Sequence, residues 1–186
     1  MVNIMIVVNM NVLNESQLLQ AAQILADELP IGWPTLADAL HEVNERWKDT
    51  AGAAFFTALN SDDEVIGWCG VLPQYDGHVY ELHPLAVRRD WQRKGVGTKL
   101  VREAERYAAG MGGLTMWIGA DDERPGGETS FANVDLYDNL PDRMRKFEPG
   151  THQTAFYLKL GYAVAGVVPD ANGIGKPDIF LAKRLK

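Results

Sequence analysis

A single cysteine, Cys69, stands among 186 residues, which excludes an intrachain disulfide. It lies in the apolar run VIGWCGVL, so a core position is expected and a reducing, cytoplasmic setting fits. No stretch approaches the roughly 18 apolar residues that a membrane span requires. The opening MVNIMIVVNM is apolar but shows no basic n-region and no small-residue cleavage site, and it reads as a first strand. Basic charge is also scarce: 18 Lys and Arg stand against 25 Asp and Glu, a formal net charge of −7. A general nucleic-acid binder needs a basic surface to neutralise phosphates, so the composition argues against that class and favours cationic partners. His41, His78 and His152 show no metal-ligand spacing with one another or with Cys69, and no metal is expected. Internal repeats, low-complexity tracts and linkers are likewise missing.

What is present is the composition of an ordinary globular chain, 46% hydrophobic and 23% charged, long enough for one full core and short for two. A single domain over 1–186 is expected. Asn14 and Gln17 form a capping-box pattern, and Leu18, Ala21, Ala22, Leu25 and Leu29 recur at helical spacing, predicting a helix over 15–29. Leu36, Leu40 and Val43 predict a second helix entered through Pro34 and Thr35, with Trp33 on the loop before it. AAFFTALN and EVIGWCGVL, separated by Ser61, Asp62 and Asp63, suit two antiparallel strands, and HVYELHPLAV the next. A helix follows, with Leu100, Val101, Ala104, Ala108 and Met111 on one face and GMGG at its end. LTMWIG then returns as a parallel strand, since strand, helix, strand at this length makes a crossover. Residues 120–150 read as a long loop with one or two helical turns. HQTAFYLKLGY is a short helix, AVAGVV a strand, PDANGIGKP a turn-rich connection and DIFLAKRL the last strand.

The stretch RRDWQRKGVGTKLVREAERYA, residues 88–108, concentrates positive charge and glycine at a helix entrance. Unpaired N–H groups and the positive end of the helix dipole there bind phosphate. Gly95 and Gly97 let the backbone approach an anion, Arg93 and Lys94 add charge, and Thr98 offers a hydroxyl. The alternative is a plain helix cap with solvated basic residues. GxxxxGK[ST] is not present, and Leu100 occupies the third glycine position of a dinucleotide fingerprint. Gln92, Arg93, Lys94, Gly95, Val96 and Gly97 instead follow Q/R-x-x-G-x-G/A. In this the chain resembles the GNAT superfamily of acetyl-CoA-dependent N-acetyltransferases.

That resemblance implies a mixed α/β fold: a central, mostly antiparallel twisted sheet flanked by helices, with a parallel strand pair splayed at the acetyl-CoA site. It implies that residues 92–98 hold the coenzyme's pyrophosphate. The backbone of Leu85, Ala86 and Val87 would pair with the pantetheine arm, beside a gap opened by Pro84, which cannot donate to a ladder. A freed N–H near Leu85 could hold the oxyanion. Further stretches, GWCGVLPQYDGHVYELHPLAV, IGADDE, AFYLKLGY and VVPDANGIGKPDIFLAK, are similar to one branch, the aminoglycoside 6'-N-acetyltransferases. Asp170 stands where that branch usually has Asn and Phe180 where it has Trp, and residues 124–134 fit its pattern poorly.

Residues 121–142 hold Asp121, Asp122, Glu123, Glu128, Asp135, Asp138 and Asp142 against Arg124 alone. Such a segment attracts a polycation, and Asp121 and Asp122 fall at a strand's C-terminal end, where open α/β sheets bind ligands. Each acid could instead simply face solvent. An ammonium must lose a proton before it attacks a thioester. Glu81 is the first candidate to accept it, through water, with His83 and Asp121 in reserve. Glu81 and His83 lie two apart on a strand and so share a face. In the related enzymes the glutamate and histidine of ELHPL line the active site. The resemblance assigns Tyr157 as the general acid for the departing thiolate, a role its ordinary protonated state allows, and gives Trp33 and Tyr75 as aromatics flanking an aminoglycoside ring. No activated cysteine or Ser/His arrangement is visible, so direct transfer in a ternary complex is expected. A polyamine or protein amine as acceptor, and a silent module that only sequesters the drug, are the other readings. The resemblance also implies a homodimer.

Overall fold

The computed structural model describes residues 5–46 and 51–186. Residues 1–4 of the expected first strand, and Trp47 at the end of the second helical segment, lie outside them. The chain divides into two compact units, 1–116 with 185–186, and 117–184.

The first unit is an antiparallel meander in the order β1 (Ile6–Asn9), β2 (Ala54–Leu59), β3 (Val65–Gln74), β4 (Val79–Val87), with helices α1 (Glu15–Glu28), α2 (Leu36–Arg46) and α3 (Val96–Gly110). Local signals set the helix starts. The Asn14 side chain accepts from the Gln17 N–H at 3.0 Å, and the Gln17 carboxamide accepts from the Asn14 N–H at 3.1 Å. The N–H groups of the cap residue and of Gln17 are thereby both satisfied. Thr35 caps α2 from one side, its hydroxyl accepting from the Asp38 N–H at 3.1 Å. One core cluster joins Ala21, Ala22, Ile24 and Leu25 of α1, Ala39 and Val43 of α2, and Trp68 of β3. Trp68 is fully buried, and its indole N–H donates to the Ala21 carbonyl at 2.9 Å, so its bulk is buried without an orphan donor. Cys69 is fully buried, and burial pushes its thiol pKa well up.

In α3, Leu100, Val101, Ala104 and Ala108 are buried as their spacing predicts, but Met111 is 53% exposed. The helix ends at Gly110, so Met111 sits at its C-cap, off the buried stripe. Gly112 then takes a φ of 96°. The N–H groups of Leu114 and Thr115 both reach the carbonyl of His78, at 2.8 and 3.3 Å. The start of β5 (Thr115–Asp121) therefore lies beside the start of β4, as a crossover through α3 requires.

In β4 the buried residues Tyr80, Leu82, Pro84 and Ala86 alternate with half-buried Glu81, His83, Leu85 and Val87. This is the period of two that places Glu81 and His83 on one face. Cys69 pairs with Leu85 and Val71 with Leu82, leaving His83 and Pro84 opposite Gly70. Two residues facing one make a bulge, at the position where Pro84 withdraws its donor. The His83–Pro84 peptide is cis. Only glycine fits opposite: a Cβ on Gly70 would lie 2.3 Å from the His83 carbonyl oxygen and 2.7 Å from the Phe55 ring.

The second unit carries the rest of β5, α4 (Leu140–Arg145), α5 (Thr154–Lys159), β6 (Ala163–Val168) and β7 (Asp178–Arg184). β7 lies between β5 and β6, antiparallel to β6. The long segment after β5 contains one short helix and has its own small core. Phe131 and Leu136 are buried, and the Phe131 ring lies 4.6 Å from that of Phe147. No helix among the described residues is long and apolar enough to cross a membrane.

Candidate active site

The loop between β4 and α3 begins as a short 3-10 turn over Arg89–Trp91. Gln92 braces it, its side-chain amide donating to the Val87 carbonyl at 3.0 Å and to Glu28 at 2.9 Å. Arg93 and Gly95 then take positive φ values of 58° and 88°. Positive φ is uncommon for a residue other than glycine, and alternation of hand along the chain turns successive N–H groups toward one point. The first helical bond runs from Lys99 N–H to the Gly95 carbonyl at 3.0 Å, and no side chain caps Gly95. Among the described residues no backbone acceptor takes an N–H from Arg93 through Thr98. Val96 is buried and anchors the first turn, while Arg93, Lys94 and Gly95 are exposed and Gly97 and Thr98 half-buried. The Lys94 ammonium lies 5.2 Å from the Trp91 ring centroid. Arg88, by contrast, is engaged by Asp90 at 2.8 Å and Glu64 at 3.3 Å, and it holds the Asp90 carboxyl below the usual carboxylate range.

Upstream on β4, one oxygen of Glu81 accepts from the Gln74 side-chain amide at 2.5 Å. This ties one carboxylate oxygen to Gln74. The His83 ring lies 5.7 Å from that of Trp33, tilted by 46°. Trp33 packs partly against the α1–α2 core. Tyr75 is 75% exposed, its backbone carbonyl accepting from the His78 N–H at 3.1 Å. Within the first unit the structure thus joins Trp33 to His83 and Glu81 to Gln74. Leu85, Ala86 and Val87 follow on the same strand, Ala86 facing the core.

In the second unit the adjacent carboxylates Asp121 and Asp122 have opposite surroundings. Asp122 is buried at 1% exposure. Its two oxygens accept the backbone N–H groups of Glu128 at 2.9 Å and Thr129 at 2.8 Å, so it shapes the loop that follows. Asp121 is exposed, and one of its oxygens accepts from the Asn172 side-chain amide at 2.5 Å. Its backbone carbonyl is 3.0 Å from Nε2 of His152, a side chain only 3% exposed. A carbonyl can only accept, so the proton sits on Nε2 and Nδ1 receives the Thr154 N–H at 3.4 Å. Glu123 is half-buried, and Asp135 is exposed with one oxygen accepting the Tyr137 N–H at 2.9 Å. Tyr157 on α5 is 4% exposed, and its ring meets that of Tyr162 edge-on at 5.8 Å. Among the described residues no group of three or more His, Cys, Asp and Glu is arranged to hold a metal ion.

Gln74, Asn172 and His152, which bond to Glu81 and Asp121, had no local sequence pattern marking them as site residues. Asn172 and His152 lie 51 and 31 residues from Asp121. Their only sequence signal was the turn-rich PDANGIGKP and a histidine next to the tyrosine helix.

Residues 18–126 match the acetyltransferase (GNAT) family. The chain belongs to that family. No curated protein matches it. Among solved structures, an aminoglycoside 6'-N-acetyltransferase complexed with coenzyme A is 33% identical over 97% of both chains, with a TM-score of 0.86. The aminoglycoside 6'-N-acetyltransferase from Enterococcus faecium is also 33% identical over 97% of both chains, at a TM-score of 0.85. An aminoglycoside 6'-acetyltransferase type Ii is 29% identical over 97% of both chains, at 0.74. The mixed α/β fold expected of the family is therefore the fold of this acetyltransferase.

Proposed function

We propose that this acetyltransferase moves the acetyl group of acetyl-CoA to the 6'-amine of an aminoglycoside by direct attack in a ternary complex, conferring resistance. The observation that carries the acceptor assignment is the likeness, over 97% of both chains and at 33% identity, to enzymes of that activity. A fold alone does not choose an acceptor. The acids around Asp121 supply the independent support, because a polycation is drawn to them.

Acetyl-CoA supplies the activated thioester. The N–H groups of residues 93–98 would hold its diphosphate, helped by Arg93 and Lys94. The fit rests on their lack of backbone acceptors and on the open space beside Gly95, where an added Cβ meets nothing within 4 Å. The backbone of Leu85 to Val87 would align the pantetheine arm and bring the thioester toward Glu81 and His83. Trp33 and Tyr75 would flank the sugar ring, and Asp121, Glu123 and Asp135 would face its ammonium groups, with Asp122 holding their loop. Glu81 accepts the amine proton through water. As the new C–N bond forms the C–S bond breaks, and Tyr157 gives the departing thiolate its proton.

Purified protein with acetyl-CoA and kanamycin or tobramycin should release free coenzyme A thiol. No release with either drug overturns the assignment. Spermidine run in competition tests the polyamine alternative.

A further inference from the structure

The turn between β6 and β7 is pinned by several hydrogen bonds. Asp170 accepts the Gly175 N–H at 2.7 Å, Asn172 N–H donates to the Lys176 carbonyl at 3.0 Å, and Asn133 N–H donates to the Gly175 carbonyl at 2.8 Å. Gly175 is pinned against Asn133, where a Cβ would come within 2.9 Å of its Cα. The turn closes where Asp122 N–H donates to the Pro177 carbonyl at 2.9 Å. At its exposed tip the Asn172 amide reaches one oxygen of Asp121. A hydrogen bond at so exposed a place stabilises the fold by little, so a fixed amide there answers to something other than folding.

From this we infer that Asn172 is a positioning residue for substrate recognition. By holding one Asp121 oxygen it fixes the rotation of the carboxylate and presents the other oxygen to an ammonium group of the acceptor. His152 secures the same residue from below through the Asp121 backbone carbonyl. In this role Asn172 would act through Asp121 and not on the acetyl donor or the reacting atoms. The inference rests on the aminoglycoside reading.

Steady-state kinetics with acetyl-CoA and kanamycin on wild type, Asn172→Ala, Asp121→Ala and the double variant test it. Asn172→Ala should raise the kanamycin KM about tenfold, the loss of one charge-assisted hydrogen bond's worth of orientation. It should leave kcat and the acetyl-CoA KM unchanged. In the Asp121→Ala background the same change should add nothing. An active wild type whose kanamycin KM is unmoved by Asn172→Ala, or moved equally with and without Asp121, overturns this inference and leaves the aminoglycoside reading standing. A wild type that acetylates no aminoglycoside overturns both. Thermal unfolding of Asn172→Ala should match wild type, and a lowered Tm would mark a structural role instead.

Discussion

Two regions of this protein present polar groups with different parts of the chain. At the entrance of α3 the work falls to the main chain: positive φ at Arg93 and Gly95 and a run of N–H groups with no backbone acceptor. At the end of β5 it falls to side chains, with Asp121 exposed and oriented by Asn172, and Asp122 buried and bonded to two backbone amides. A main-chain site depends on a few consecutive residues, whereas a side-chain site depends on partners brought from elsewhere in the chain.

Substitutions sharpen this contrast. Tyr157→Phe should lower kcat the most, by about a hundredfold, if the hydroxyl supplies the thiolate's proton. A variant with wild-type turnover removes Tyr157 from the chemistry. Gly70→Ala should follow, costing about 3 kcal/mol of stability because the methyl meets backbone and a ring rather than a flexible tip. Urea unfolding measures it, and a midpoint unchanged from wild type would show that the bulge opposite His83 and Pro84 tolerates a side chain. Asp122→Ala should cost about 2 kcal/mol by leaving two part-buried backbone donors without acceptors, while Asp121→Ala should change stability by less than about 0.5 kcal/mol. Equal losses would erase the distinction between the two neighbours. The smallest effect is on Cys69, whose thiol is buried and pushed up in pKa. It should stay protonated and unreactive toward a thiol reagent at pH 8 in the folded protein. Labelling in native protein would contradict its burial, and its silence lets released coenzyme A be read by the same reagent.

The main-chain region was legible in the sequence because its parts are adjacent. QRKGVG, an apolar strand before it and a helical stripe after it predicted a helix entered through a glycine turn, and alternation along HVYELHPLAV put Glu81 and His83 on one face. The capping box of Asn14 and Gln17 was legible for the same reason. Contacts across long sequence separations were not. The need for glycine at position 70 comes from the His83 carbonyl and the Phe55 ring, and the orientation of Asp121 comes from Asn172 and His152. Met111 misled because helical spacing continues one residue past the point where the helix stops.

Amide chemical shifts during titration with coenzyme A test most directly the claim that bare backbone at α3's entrance receives the diphosphate. The largest movements should fall at the N–H groups of Arg93 through Thr98, and Gly95→Val, whose β-branched side chain resists the positive φ there, should bind more weakly. Tight binding that leaves those amides unmoved would contradict it.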